Sequence, residues 1–364
     1  MTAPSLPRQK LRIIHLIPTL NGGGAERQVR YIASASAALG HSVAIASKMT
    51  VGEADDVKSL GIIPYKLSGQ NNFDPMLIVQ TILIIKKMKA DIIQTWLPQC
   101  DVLGAVGSLI TGVPMILSER SSATAYPKGW RQSLRHLAGK HAKMIIANSP
   151  SGRDFWDGHK NRLVIPNAVP SRNADKTRGV HIPQRRPSSK IIICAGRLAK
   201  EKNIQQIISA VPYLLTSDIQ LIIVGDGPEQ QALKRLTVAI DQTENIIFLG
   251  HQPDIYPWLK EAALFVSAST FEGHPNTVLE AAQAGTPLLL SDIRMHRDTV
   301  GGGASYFPLH DERRLAVQID AILNDRQSAV NRADIAKVRI QQLTVAKVTD
   351  MYLTAYRSLC DPLG

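Results

Sequence analysis
Short apolar runs recur along the chain, and most of them end in a glycine or a polar cluster. Residues 11–17, 42–46, 92–96, 114–118 and 144–148 form one series, and 191–195, 219–224, 245–249, 264–267 and 287–290 form a second. Unbroken apolar runs of this length, rather than alternating ones, predict strands buried on both faces. Helical stretches separate them. Residues 25–39 end at Gly40, which suits a left-handed helix stop, and 204–215 follow the strand at 191–195. Strands alternating with helices predict a parallel sheet in each half. The expected fold class is therefore α/β, with two doubly wound, Rossmann-like parallel-sheet domains.

Residues 171–190 interrupt the alternation. The stretch SRNADKTRGVHIPQRRPSSK is polar and basic and holds Pro183 and Pro187, the composition of a linker. The predicted division is a first domain at 1–170, a linker at 171–190 and a second domain at 191–344. A last helical stretch, 335–359, is expected to carry about 345–364 back onto the first domain. Two such units leave a cleft where the C-terminal ends of their strands face each other, the place where sheets of this kind bind ligands.

Composition narrows the class. A chain of 364 residues suffices for two cores. Cys100, Cys194 and Cys360 are widely spaced with no CxxC pair, so neither a disulfide framework nor a structural zinc site is expected, and a reducing cytosol suits the chain. Residues 1–10 are polar, with Pro4 and Pro7, and lack the apolar core of a secretory signal. The longest apolar run, 76–85, is broken by Gln80 and Thr81 and is short of the roughly 20 residues a spanning helix needs. The net charge of +12 is uneven: residues 1–170 hold 20 Lys+Arg against 10 Asp+Glu, whereas 191–364 hold 16 against 19. A basic front half predicts that the first domain alone meets an anionic partner.

Two loops carry phosphate chemistry. Asn21-Gly22-Gly23-Gly24-Ala25-Glu26 lies between a strand and a helix. Its glycines allow close backbone approach, and the helix start supplies N–H groups and a positive dipole end. The plainer alternative is a tight turn with no ligand. Arg27 stands where a dinucleotide fingerprint needs its third glycine, and no Gly-Lys-Ser/Thr follows as a P-loop requires. The second loop, Gly196-Arg197-Leu198 followed by Lys200-Glu201-Lys202-Asn203, ends the first strand of the second domain. Arg197 and Lys202 pair a guanidinium fork with a point charge, which suits a diphosphate neutralised as it leaves, although a solvated basic loop has the same composition.

The richest segment is Thr270-Phe271-Glu272-Gly273-His274-Pro275-Asn276-Thr277-Val278-Leu279-Glu280. It follows a strand and opens a helix. Thr277 and Glu280 have capping-box spacing, with Asn276 as another cap, so Glu280 has a structural reading in the first helical turn. Glu272 lies in the preceding loop and has none. Carboxylates accept hydrogen bonds from sugar and ribose hydroxyls, while the intervening amides suit phosphate oxygens.

The segment resembles the Glu-x7-Glu motif of retaining glycosyltransferases with the GT-B fold, in particular glycosyltransferase family 4. The glycine loop, Gly196-Arg197-Leu198 with Lys202, Val224-Gly225-Asp226-Gly227-Pro228, Leu249-Gly250 and Glu272 to Glu280 stand in the family's order over nearly the whole chain. The resemblance implies that Gly22, Gly23 and Gly24 approach the donor diphosphate and that Arg197 and Lys202 hold it. It implies that Glu272 and the amides of Gly273, His274, Pro275 and Asn276 meet the donor sugar, that Thr277 and Val278 add to the phosphate site, and that Glu280 binds the ribose. The base would lie near Gly225 and residues 251–253. No protein nucleophile, no cofactor and no metal are implied, in keeping with the lack of an Asp-x-Asp motif. One departure stands out. Many members carry a His after the strand at 114–118, and here Ser118-Glu119-Arg120-Ser121 puts Arg120 at or beside that place. Such variants resemble a bacterial subset that builds surface polysaccharides and lipid-linked oligosaccharides. Arg120 then reads a donor group, pairs with an acceptor phosphate, or forms a salt bridge with Glu119 or a neighbour.

The expected donor is a nucleotide-diphosphate sugar, with UDP favoured, and the expected acceptor is lipid-linked or saccharide. Lys86, Lys87, Lys89, Lys128, Arg131, Arg135, Lys140 and Lys143, some of them interleaved with Trp130, Leu134 and Leu137, suit an anionic membrane surface at the cytoplasmic side, although a solvated basic face has the same composition. Other GT-B activities, such as a nucleotide-sugar epimerase or a glycosyl phosphorylase, stand as alternatives. A non-catalytic nucleic-acid binder is the alternative of another class. Aromatics at 5% and the lack of a nucleic-acid motif speak against it.

Overall fold
The computed structural model describes residues 9–21, 23–71, 74–121, 129–172 and 185–360. The chain forms two compact units, Met1–Pro170 with Leu343–Gly364, and Ser171–Gln342. The first contains strands β1 (Arg12–Leu16), β2 (Ser42–Ser47), β3 (Ile63–Lys66), β4 (Ile92–Trp96), β5 (Met115–Glu119), β6 (Met144–Ala147) and β7 (Arg162–Val164). All pair in parallel, in the order β3-β2-β1-β4-β5-β6-β7. Helices α1 (Gly24–Ala38), α2 (Val51–Ser59), α3 (Pro75–Met88), α4 (Pro98–Thr111), α5 (Trp130–His141) and α6 (Pro150–Asp154) join them.

The second unit repeats the plan with β8 (Lys190–Ala195), β9 (Ile219–Val224), β10 (Ile246–Gly250), β11 (Leu264–Ser267), β12 (Leu288–Ser291) and β13 (Ser305–Phe307), ordered β10-β9-β8-β11-β12-β13. Its helices are α7 (Ile204–Ala210), α8 (Gln230–Ala239), α9 (Tyr256–Glu261), α10 (Asn276–Ala284), α11 (Arg294–Val300), α12 (Glu312–Asn324) and α13 (Arg326–Ile340). The central strands are buried throughout, β4 and β9 at every residue, as the unbroken apolar runs require. In both sheets the strand order reverses beside the first strand, between β1 and β4 and between β8 and β11. Ligands of doubly wound sheets bind at the strand C-termini next to such a reversal.

The final helix, α14 (Val345–Cys360), belongs to the first unit. Its stripe of Val348, Tyr352, Leu353 and Tyr356 is buried in the same apolar cluster as Ile13, Val29, Ile32 and Trp96. Full burial of side chains of this size contributes about 1.5–3 kcal/mol each.

Three sequence expectations need correction. Residues 335–359 are not one helix. α13 ends at Ile340, a 3₁₀ turn spans Gln341–Leu343, and α14 starts at Val345, because here the chain passes from the second unit to the first. The Val169 N–H donates to the Leu343 carbonyl at 2.7 Å and pins that crossing. The helix expected at 204–215 stops at Ala210, since Pro212 has no N–H to continue the ladder and lies in a 3₁₀ turn instead. Strands β3, β7 and β13 had no sequence signal: they are edge strands of four, three and three residues. Within the linker expected at 171–190, residues 173–184 lie outside the described residues, as do residues 1–8 and Lys128. Arg186 ties the linker's end to the second sheet through the Ile219 carbonyl at 2.7 Å and Asp218 at 3.2 Å. Among the described residues, no helix is long and apolar enough to cross a membrane.

Candidate active site
In the second unit, the strand-order reversal sets the loop after β8 beside the loop after β11. The first turns at Gly196 and runs through a 3₁₀ turn at Lys200–Lys202. The second is tied to it by the Thr270 N–H, which donates to the Glu201 carbonyl at 2.8 Å. This brings Lys202 Nζ to 2.5 Å from Glu272 Oε1, and Ser269 Oγ donates to the same oxygen at 2.8 Å. Oε2 has no protein partner among the described residues. The Glu272 side chain is 11% exposed. Burial pushes its carboxyl up, but the charge and hydrogen bond of Lys202, with Ser269, bring it below the usual carboxylate range. The site thus offers an ionised carboxylate with one oxygen fixed and one left to accept a hydroxyl.

A chain of hydrogen bonds holds this arrangement from behind. Ser291 Oγ donates to the Ser269 carbonyl at 2.6 Å, and His296 Nδ1 lies 2.9 Å from the Ser291 carbonyl. A carbonyl only accepts, so Nδ1 carries the proton and Nε2 presents a lone pair. Nε2 is buried and without a partner among the described residues. Burial keeps the imidazole below its usual pKa, so it is neutral at pH 7, although the Ser291 carbonyl and Glu272 favour the charged form. Sequence reasoning missed Ser291 and His296. Ser269-x-x-Glu272 is a local spacing that was legible, whereas His296 lies on α11, and no short-range pattern links it to Glu272.

Two glycines allow the neighbouring loops to pack. A Cβ on Gly225, whose φ is +130°, would lie 2.0 Å from the Gly196 carbonyl oxygen, and one on Gly227 would lie 2.3 Å from that of Leu198. The Leu198 N–H donates to the Asp226 carbonyl at 2.9 Å, and Asp226 Oδ2 accepts from the His251 N–H at 3.1 Å. The ends of β8, β9 and β10 therefore form one surface that includes Gly225 and His251. Arg197 is exposed on it.

The helix after Glu272 differs from expectation. α10 begins at Asn276 with Pro275 as its N-cap and no side-chain cap, so the capping box of Thr277 and Glu280 does not form. Glu280 stands in the second turn, 7% exposed. Gly273 and Pro275 are buried, and His274 and Asn276 half-buried. The first-turn amides of Asn276, Thr277 and Val278 have no acceptor within the helix, the usual condition at a helix start.

In the first unit, Gly22 lies outside the described residues. Gly23 is the N-cap of α1 and Gly24 its first residue. The Glu26 carboxylate folds over Gly23, where a Cβ would meet Oε2 at 2.2 Å, and burial raises its pKa. Arg120 follows β5. Its Nη1 donates to the Tyr352 hydroxyl at 3.2 Å and its Nη2 to Asn167 Oδ1 at 2.5 Å, while the guanidinium lies 4.9 Å over the Trp96 ring. Trp96 Nε1 donates to His15 Nδ1 at 3.1 Å, and burial pushes the His15 pKa down to about 3. The alternative pairing of Arg120 with Glu119 is absent. Successive strand residues face opposite ways, and Glu119 pairs with Arg135 at 2.9 Å and accepts from Trp156 Nε1 at 3.0 Å. Arg135 is thereby removed from the expected basic face: it is 4% exposed and also bonded to Asp101 at 2.7 Å.

Comparison with known proteins assigns both halves. Residues 22–172 match the family described as Glycosyltransferase Family 4, and residues 177–339 match Glycosyl transferases group 1. A UDP-Gal:alpha-D-GlcNAc-diphosphoundecaprenol alpha-1,3-galactosyltransferase of Escherichia coli is 26% identical over 58% of this chain and 60% of its own length. An alpha-1,4-N-acetyl-D-galactosaminyltransferase of Campylobacter jejuni, which acts on a diphospho-undecaprenol-linked saccharide, is 23% identical over 94% of this chain and 97% of its own. Among solved structures, HepE of Anabaena in complex with UDP and glucose superposes with a TM-score of 0.84, at 18% identity, over 96% of this chain and 100% of its own. With two parallel Rossmann-like sheets and family matches that run almost end to end, the chain belongs to the family 4 glycosyltransferases of the GT-B fold.

Proposed function
We propose that the protein is a retaining, metal-independent glycosyltransferase that moves a hexose or N-acetylhexosamine from a UDP-sugar to a lipid-linked or saccharide acceptor in cell-surface polysaccharide synthesis. The observation that carries this reading is the Lys202–Glu272 pair at the strand-order reversal of the second sheet. Lys202, with Arg197 on the same loop, supplies the positive charge that a departing diphosphate needs, so the reading requires no metal for that role. Glu272 Oε2 accepts a hydroxyl of the donor sugar, and Glu280 a ribose hydroxyl. Amides from Gly273 to Val278 meet sugar and phosphate oxygens, and the base lies by Gly225. In the transfer step the bond between the anomeric carbon and the diphosphate oxygen breaks. The acceptor oxygen bonds to that carbon on the same face, and its proton goes to the departing phosphate.

The lipid-linked acceptor is supported by the E. coli and C. jejuni relatives, whose substrates are diphospho-undecaprenol-linked. A peripheral seat on an anionic membrane is supported by the outer layer of the first unit, where α3, α4 and α5 pack side by side. Met76, Val79 and Leu83 of α3, Leu109 and Ile110 of α4, and Trp130, Leu134 and Leu137 of α5 are exposed, with Lys86, Lys87, Arg131 and Lys140 on the same helices. Such a face gains about 1 kcal/mol per basic residue near anionic lipid.

A screen of nucleotide sugars with a diphospho-polyprenol-linked N-acetylhexosamine, read by product mass spectrometry and anomeric NMR, tests the activity. The reading expects one UDP-sugar to be consumed with retained configuration in the presence of chelator. An inverted product would overturn retention, and no transfer from any donor would overturn the transferase reading. Sedimentation with phosphatidylglycerol vesicles against phosphatidylcholine vesicles tests the membrane seat, and equal recovery with both would remove it.

A further inference from the structure
Among the described residues, Arg120 is a cation without a counter-ion. Its partners are a phenol, an amide oxygen and an indole face, none of them acidic. Glu119, its neighbour, is committed to Arg135 and Trp156 on the opposite side of the sheet. Residues 121–129 contain no Asp or Glu, and the only acidic residues outside the described set are Asp175 and Asp361. Arg120 Nε is buried with no acceptor.

A second buried donor without a partner among the described residues lies in the same unit. His15 Nδ1 accepts from Trp96 Nε1, so the proton of the neutral imidazole is on Nε2, which is also buried and unpartnered. His15 is fully buried. Buried donors without acceptors cost stability, and native structures keep few of them without a use. Both orphans are donors. A sugar hydroxyl gives and takes a hydrogen bond, whereas an anionic oxygen only takes, so a guanidinium that only donates and has no acidic partner suits an anion. The tethers serve the same end: Tyr352, Asn167 and Trp96 fix the plane of the guanidinium without neutralising it, and the fork of Arg matches phosphate oxygens. All of this lies at the C-terminal ends of β1, β4 and β5, the ligand end of the first sheet. The other anion candidate in this unit, the start of α1, already holds Glu26.

We propose that Arg120, seated on Trp96 and held by Tyr352 of the C-terminal helix, is the receptor for the phosphate oxygens of a lipid-linked diphosphate acceptor. The assignment rests on the glycosyl-transfer reading above and selects among the roles left open for Arg120. It makes α14 a positioning element, since Tyr352 brings the last helix of the chain to the residue that grips the acceptor.

The test measures binding of farnesyl diphosphate and of farnesol to the full chain, with UDP saturating and again without it. UDP blocks the donor's phosphate site, so that a diphosphate preference seen in its presence belongs to the acceptor. The wild type is expected to prefer farnesyl diphosphate by about tenfold or more, and Arg120→Gln to lose that preference while binding UDP as before. Tyr352→Phe, which keeps the guanidinium and drops one tether, is expected to lose part of it. Equal binding of diphosphate and alcohol by the wild type overturns the proposal without recourse to any variant. So does an Arg120→Gln protein that keeps the preference, or one whose UDP affinity falls while the preference stays, which would make Arg120 a donor residue. Failure of the wild type to bind UDP counts against the transferase reading instead, and the arm without UDP still decides on Arg120.

Discussion

Lys202 Nζ and Glu272 Oε1 lie 2.5 Å apart, joining two loops that are 70 residues apart in the chain. The contact exists because β8 and β11 are neighbours in the sheet, so the loops that follow them share one edge. Each residue sets the state of the other: the ammonium keeps a buried carboxyl ionised, and the carboxylate holds the ammonium in place.

Lys202→Met and Glu272→Gln are each expected to lower transferase turnover by about a hundredfold or more, the range seen when a preorganised charge is removed from a site. Their pH behaviour separates them. In the wild type Glu272 stays ionised to below the ordinary carboxylate range. Lys202→Met removes the ammonium that opposes the burial effect, so the acid limb of the residual rate moves to higher pH. Glu272→Gln has no such limb. UDP release followed from pH 4 to 8 checks both, and an unmoved limb in Lys202→Met would show that Glu272 is not the titrating group.

His296 is joined to Glu272 by hydrogen bonds only through Ser291 and Ser269. Asn at 296 can place its amide N–H where Nδ1 stands, whereas Ala cannot. His296→Ala is therefore expected to lower kcat by about tenfold, the cost of one lost hydrogen bond to the supporting chain, with His296→Asn close to wild type. Comparing kcat and KM for the two variants checks this. A pair of variants equally impaired would assign His296 a packing role alone.

The fully buried imidazole of His15 makes stability depend on pH. Its folded pKa of about 3 lies below the ordinary 6.5 of the unfolded chain. Below about pH 6.5 the unfolded state takes up a proton that the folded state refuses. The His15 contribution is thus complete above that pH and declines as pH falls toward 3, by about 1.4 kcal/mol per unit. His41 and His296 shift in the same direction and share the effect. His15→Asn keeps an acceptor for Trp96 and does not titrate. Urea unfolding between pH 7 and pH 4 is expected to show a shallower loss in the variant than in the wild type.

Gly225→Ala is expected to destabilise the second unit by about 2 kcal/mol or more. The φ of +130° is costly for any side chain, and the new methyl would meet the Gly196 backbone at 2.0 Å. The backbone on the other side cannot yield without opening the Leu198–Asp226 hydrogen bond. Thermal unfolding with and without UDP measures it, and nucleotide protection is expected to weaken in step.

The sequence alone determined the layered α/β plan, because strands buried on both faces must be written as unbroken apolar runs, and β4, β9 and β11 fall on the residues those runs marked. It also singled out Lys202 and Glu272, since a loop cation and a loop carboxylate have no role in helix or strand. Tertiary structure decided what each charge does. Arg120 and Arg135 look alike in the sequence. The alternation of the β5 strand turns Glu119 away from Arg120 and toward Arg135, which leaves one arginine neutralised in a core and the other without a counter-ion among the described residues. Glu280 likewise looked like a helix cap until Pro275 set the start of α10 at Asn276. His296, Ser291 and Tyr352 had no local pattern to mark them: each works through a partner brought near only by sheet order or by the return of the last helix. Local propensity is written residue by residue, but contacts across a parallel sheet depend on crossovers tens of residues long, and only the folded chain reveals them.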